Sequence, residues 1–172
     1  MPYEPFYKRF RELALSETRS FTVFEGSYPG LPADEYALME AYCNDINCDC
    51  RRVFFNVISR KRQKVVAVVT FGWEDEAFYR KWFGGGDDDI TRMDVSEMVG
   101  VGLNSMSPQS EIAPALLEPI RNILESDPAY VERLKRHYRI FKEKIDPKHF
   151  RPSGAAKRLE AAKPKSKKRK RH

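Results

Sequence analysis

The chain has 172 residues, 31 of them Lys or Arg against 25 Asp or Glu, for a net charge of +6. That length suits one hydrophobic core with appendages, and no apolar run approaches the roughly 18 residues that a membrane span requires. The charge is unevenly spread: residues 157–172 hold nine Lys/Arg and one Glu, which leaves residues 1–156 at −2. All of the net basicity is in the tail.

In chain order, Phe6, Tyr7, Phe10, Leu13 and Ala14 recur at spacings of three and four, which predicts a helix over residues 3–16. Ser20–Phe24 is β-branched and aromatic and reads as a strand, followed by a loop holding Gly26, Pro29, Gly30 and Pro32. Glu35–Cys43 alternates like a strand, although Ala, Leu, Met and Glu favour helix. A hairpin partner follows at once, so strand is the expectation. Arg52–Ser59 and Lys64–Gly72 flank the charged turn Arg60–Gln63 and form the clearest hairpin in the chain. Both strands are apolar on both faces, so the sheet should be covered on each side at least in part.

Glu74–Phe83 opens on acids and closes on glycine, as a helix should. GGGDDD at 84–89 reads as a solvated loop in preference to a hard-cation site, because adjacent carboxylates in a Gly-rich loop seldom converge. Asp94-Val95-Ser96-Glu97 opens a short helix stopped by Gly100 and Gly102. Ser107-Pro108 or Ala113-Pro114 starts the next, with Pro119 in its first turn or bending it. Asp127-Pro128 is a cap followed by Pro at the first helical position. From there Val131, Leu134, Tyr138, Phe141 and Ile145 form one stripe, ending near Asp146-Pro147. The expected fold is α+β: a small antiparallel sheet of three or four strands, centred on the hairpin 52–59/64–72 and packed against helices. One domain should cover 1–150, with 151–172 a disordered polybasic tail too poor in apolar residues to fold alone.

All three cysteines fall within eight residues, Cys43, Cys48 and Cys50, in the spacing C-x4-C-x-C. Cys48 and Cys50 project to one side of an extended backbone, and Asn44–Asn47 tolerates a turn that brings Cys43 round to them. Thiolates are soft ligands that suit tetrahedral zinc, so a zinc site of three cysteines plus one further group is the expectation. Arg51 and Arg52 stand beside it to offset the negative charge. Buried free cysteines are the plain alternative; a disulfide cannot pair all three. His137, on the edge of the last helix's apolar face, ranks first as fourth ligand, ahead of His149 and His172, with Asp45, Asp49 or water as substitutes. A half-buried, hydrogen-bonded imidazole is the alternative at His137. Unpaired cysteines and an N-terminus without an apolar signal segment point to the cytoplasm.

In the tail, Lys163, Lys165, Lys167, Lys168, Arg169, Lys170 and Arg171 place seven like charges in ten positions. Such a run contacts nucleic acid or another polyanion through phosphates, without sequence readout. It also fits a nuclear import signal if the source is eukaryotic; a merely solubilising tail is the alternative.

The strings YC-x4-CDCRRV, TFGW-x4-FYRKW, SPQS-x3-PALL and YVERLKRHY-x2-F resemble a group of uncharacterised prokaryotic proteins, some of which carry a C-terminal SEC-C-type zinc motif. The resemblance covers roughly residues 20–145. It implies a prokaryotic cytoplasmic setting in which nuclear import has no place. The chain departs from that motif, since its cysteines are internal and a basic tail occupies the C-terminus. No catalytic residue carries over.

Three functions compete. The first is a binding module with structural zinc and a polyanion-binding tail. The second is an enzyme, either a metal site with an open fourth position and Glu40 or Asp49 as base, or a reactive thiol. The third is a protein-interaction adaptor using the aromatic helix Phe78–Phe83. No nucleophile–base motif, phosphate loop or H-E-x-x-H supports the second.

Overall fold

The computed structural model describes residues 3–84 and 95–151. The last five residues of the predicted loop at 84–89, Asp94 of the predicted cap and the polybasic run from Lys163 lie outside them. Strands β1 (Tyr3–Pro5), β2 (Arg19–Val23), β3 (Asp34–Cys43), β4 (Arg52–Ser59), β5 (Lys64–Gly72) and β6 (Gly100–Leu103) form one antiparallel sheet. Its order is β1-β3-β4-β5-β6, with β2 also beside β3. The helices are α1 (Arg11–Glu17), α2 (Glu76–Phe83), α3 (Ala113–Ser126) and α4 (Pro128–Ile145). The architecture is α+β, with more strands than the sequence suggests.

Register shows why the sheet has a helix-covered face. Tyr36, Leu38 and Glu40 of β3 lie opposite Ser59, Val57 and Phe55 of β4, and Val57 and Phe55 lie opposite Ala67 and Val69 of β5. Side chains alternate along a strand, so these residues share one face. The apolar ones among them pack with Leu116 and Ile120 of α3 and Leu134, Tyr138 and Phe141 of α4. The other face carries half-buried Ala37, Met39, Asn56, Ile58 and Val68, so its cover is partial. Helices α2, α3 and α4 start at signals the sequence carries. Asp75 and Asp127 accept the amides of Phe78 and Tyr130 at the N-termini of α2 and α4, and α3 opens at Ala113-Pro114.

Two expectations change. The predicted helix over 3–16 is split into β1, a 3-10 turn at Phe6–Lys8 and α1. Pro5 has no N–H to extend a helix, Tyr3 pairs across from Cys43, and the Phe6 ring stacks 4.5 Å from the His137 ring. Gly100 and Gly102, read as helix stops, instead belong to β6, which pairs with the end of β5. A Cβ at Gly72 would lie 2.0 Å from the Met98 carbonyl and 2.6 Å from the Tyr79 hydroxyl, so the chain can return there only against a glycine. Beyond β6 the Gln109 side-chain amide takes a strand's place, bonding both the N–H and the C=O of Val68.

Candidate metal centre

The loop joining β3 to β4 begins at Cys43, ends at Arg51 and turns through positive φ at Asn47 (65°) and Arg51 (45°). Asparagine tolerates that region; arginine needs to be held there. Arg51 is held on every side. Its N–H donates to the Tyr138 hydroxyl at 3.3 Å, and its carbonyl accepts from the Tyr79 hydroxyl at 2.9 Å. Its guanidinium pairs with Asp49 and Glu74 and lies 4.5 Å over the Phe78 ring.

The rest of the loop is fastened to α4 by Tyr138, Lys142 and Asp146, which fall four apart and so share one helical face. Tyr138 donates to Asp49 Oδ1 at 2.9 Å. Lys142 Nζ donates to the Asp45 carbonyl at 3.1 Å. Asp146 Oδ2 accepts the Asn47 N–H at 2.8 Å. The sheet and the last helix are therefore joined here by oxygen and nitrogen contacts.

This scaffold brings the three sulfurs of Cys43, Cys48 and Cys50 within 4.8 Å of one another. Cys43 and Cys50 are buried and Cys48 is half-buried. Zinc–sulfur bonds of about 2.3 Å put tetrahedral thiolates nearly 4 Å apart, so the spacing admits one ion. All three are free thiols. S–H donation from Cys48 and Cys50 drives the Cys43 thiol down to about 2, helped by the Asp45 amide and the Lys142 charge. The same sharing raises Cys48 and Cys50, Cys50 well above its ordinary value, since each gives its hydrogen to Cys43 and burial adds to the effect. A divalent ion would displace those shared protons.

His137 has other partners. Its Nδ1 lies 2.7 Å from Glu40 Oε2 and its Nε2 2.9 Å from Glu17 Oε2, and it stands outside the thiol group. Glu40 Oε2 also accepts from the Tyr42 hydroxyl at 2.7 Å, and Glu17 pairs with Arg136. With both ring nitrogens facing carboxylates, His137 has the hydrogen-bonded environment that was its alternative reading, fully buried. Asp45 and Asp49 are also outside the thiol group, and Asp49 is engaged by Tyr138 and Arg51. His149 sits on the Asp146 carboxylate at 2.9 Å, and His172 lies outside the described residues. Among the described residues, Cys43, Cys48 and Cys50 are the group of side chains close enough together to hold an ion.

A cation that the sequence reading did not name also acts on the thiols. Arg51 is committed to Asp49 and Glu74, and the Arg52 guanidinium lies 5.4 Å over the Phe54 ring. Lys142 is the cation whose charge reaches Cys43 and Cys48. Sequence reasoning missed it, although it falls between Phe141 and Ile145, four residues after Tyr138, on the buried side of the stripe.

Glu40 and Asp49, the two candidate bases, are both bound up as described. A groove of about 660 Å³ lies beside Tyr7, Arg11, Leu15 and Met39 and touches no cysteine. Phe78 and Trp82 pack in part against the buried cluster of Tyr79, Val95 and Met98. No helix among the described residues is long and apolar enough to cross a membrane. No protein-family model, curated protein or solved structure matches the chain.

Proposed function

We propose that this is a small zinc-binding domain in which Cys43, Cys48 and Cys50, with one further group, hold one ion in a structural role. The observation that carries the reading is the convergence of three free sulfurs within 4.8 Å on a loop fastened to α2 and α4. Two of the three thiols are buried and the nearby carboxylates of Glu40 and Asp49 are engaged, which favours holding an ion over activating a water on it. Bound zinc would supply a covalent cross-brace within the loop. The residues around it fix the backbone and balance its charge.

The tail adds the second part of the function. Lys163, Lys165, Lys167, Lys168, Arg169, Lys170 and Arg171 contact nucleic acid or another polyanion through phosphate charge alone. What supports this is the separation of charge, with the remainder of the chain mildly acidic.

Metal analysis of the purified full chain tests the first part. One zinc per chain is expected, removable by chelator, and none in the Cys48→Ser/Cys50→Ser double variant, which also loses cooperative unfolding. A double variant that unfolds like the parent rules out the structural role. For the tail, binding to random DNA should weaken steeply with salt and vanish on truncation after Pro152; a truncated chain that binds as tightly refutes it.

A further inference from the structure

Lys142 has none of its surface exposed, an unusual position for a strongly hydrated charge. An ammonium carries three donors. One goes to the Asp45 carbonyl at 3.1 Å. The Tyr138 and Phe150 rings lie 5.9 and 5.7 Å from Nζ and offer their π faces. No carboxylate among the described residues pairs with it. Buried charges without an opposite charge are costly, and the thiols lie on the loop that Lys142 holds. Asp45, whose carbonyl Lys142 holds, has its amide bonded to the Cys43 sulfur, and the Lys142 charge acts on Cys43 and Cys48 together.

Charge then selects the ion. Three thiolates and one ammonium sum to two negative charges. A divalent cation brings the buried centre to neutrality. A monovalent ion leaves it negative, and a trivalent one leaves it positive. We propose that Lys142 is the fixed countercharge of the thiol site and makes it selective for divalent soft ions over trivalent ones such as arsenic(III). This rests on the reading that Cys43, Cys48 and Cys50 bind metal. Lys142 touches no ion itself. It is a specificity-setting residue acting across the thiolates; Arg51 is paired with Asp49 and Glu74, and the Arg52 guanidinium lies over the Phe54 ring.

The test compares two probes on the full chain, zinc by competition with a chromophoric chelator and arsenite by its sulfur–arsenic absorption. Lys142→Met keeps the bulk and removes the charge. Lys142→Gln also retains an N–H donor for Asp45, and serves if the Met variant does not fold. A unit charge a few ångströms away in a half-buried site is worth on the order of a hundredfold in affinity. Zinc affinity should fall by about that factor in the variants, while arsenite affinity holds or rises. Equal weakening of both probes would reduce Lys142 to a loop anchor and overturn the proposal, as would unchanged zinc affinity. A parent chain that binds neither probe overturns the metal reading and the proposal with it. A parent that binds zinc, with an unaltered zinc-to-arsenite ratio in the variants, overturns the proposal alone.

Discussion

Strand β3 and helix α4 each contribute to two buried polar clusters, and the clusters are completed differently. In one, Glu40 and His137 meet Glu17 and Tyr42, so every charge has a protein partner within hydrogen-bond reach. In the other, Cys43 and Lys142 meet Cys48 and Cys50, and the sulfurs have chiefly one another, one amide and one ammonium. Sulfur is a weak hydrogen-bond partner. The first cluster is finished by the chain itself, whereas the second is a group of thiols close enough to hold an ion, with no further ligand grouped with them among the described residues. Histidine's usual place among zinc ligands counts for less here than its position, because both its nitrogens are already used.

The largest effect that can break this contrast is on the finished cluster. His137→Leu leaves Glu40 buried, with only the Tyr42 hydroxyl on it. Removing one partner from a buried charged pair costs about 3–5 kcal/mol, to be read from denaturant unfolding. Zinc content should stay at the parent value. A folded His137→Leu chain that has lost its zinc would merge the two clusters and restore His137 as a ligand.

Next in size is the pH dependence of zinc binding. Without metal, Cys43 is depressed and already ionised at neutral pH, whereas Cys48 and Cys50 are raised and keep their protons. Zinc must displace the two protons that remain. Affinity should therefore rise by about a hundredfold per pH unit between roughly pH 6 and 8 and fall equally steeply on acidification. Chelator competition at several pH values measures the slope. A flat profile would mean that the sulfurs do not bind as thiolates.

Parts of this were legible in the sequence and parts were not, for physical reasons. The hairpin 52–59/64–72 and the cap Asp127-Pro128 are local signals, and the clustering of the cysteines is visible in their spacing. Tyr3–Pro5 was not legible, because Phe6 and Phe10 at i and i+4 serve a 3-10 turn leading into α1 as well as one long helix. Gly100–Leu103 lacks the β-branched residues that mark strands, its place being set by the close approach at Gly72. The partners of His137 lie 97 and 120 positions away, and no local pattern encodes them. Lys142 looks like one more charged position until the helix phase is fixed by the packing of Leu134, Tyr138 and Phe141.

A smaller effect sharpens the contrast from the loop side. The Tyr138 hydroxyl donates to Asp49 and accepts from the Arg51 amide. Tyr138→Phe keeps the ring and removes both bonds, at a cost of about 1–3 kcal/mol with Asp49 and the amide left half-buried. If the loop is the scaffold for the ion, zinc affinity should fall along with stability, while the Glu40–His137 contacts persist. Unfolding curves recorded with and without chelator separate the two. A loss of stability that is the same in both would detach Tyr138 from the metal site.

The smallest effect concerns Asp146, which ends α4 and holds the turn at Asn47. The Asn47 amide is the main cause of its lowered carboxyl, with His149 adding to it. A carboxylate depressed in the folded state contributes stability that is present above its unfolded value of about 3.9 and lost as pH falls through the folded one. In metal-free protein, exchange protection of the Asn47 amide should therefore hold at neutral pH and fall away below about pH 4. The amides in the middle of the β4–β5 ladder, away from the Asp34 carboxylate that holds Ser59 and Lys61, should stay protected over the same range. Asp146→Asn should lose the neutral-pH protection and with it the pH dependence. Protection at Asn47 that is equal in the parent and in Asp146→Asn at neutral pH would show that the turn is held by something other than this charge, and that the loop, like the His137 cluster, is complete without help from α4's last carboxylate.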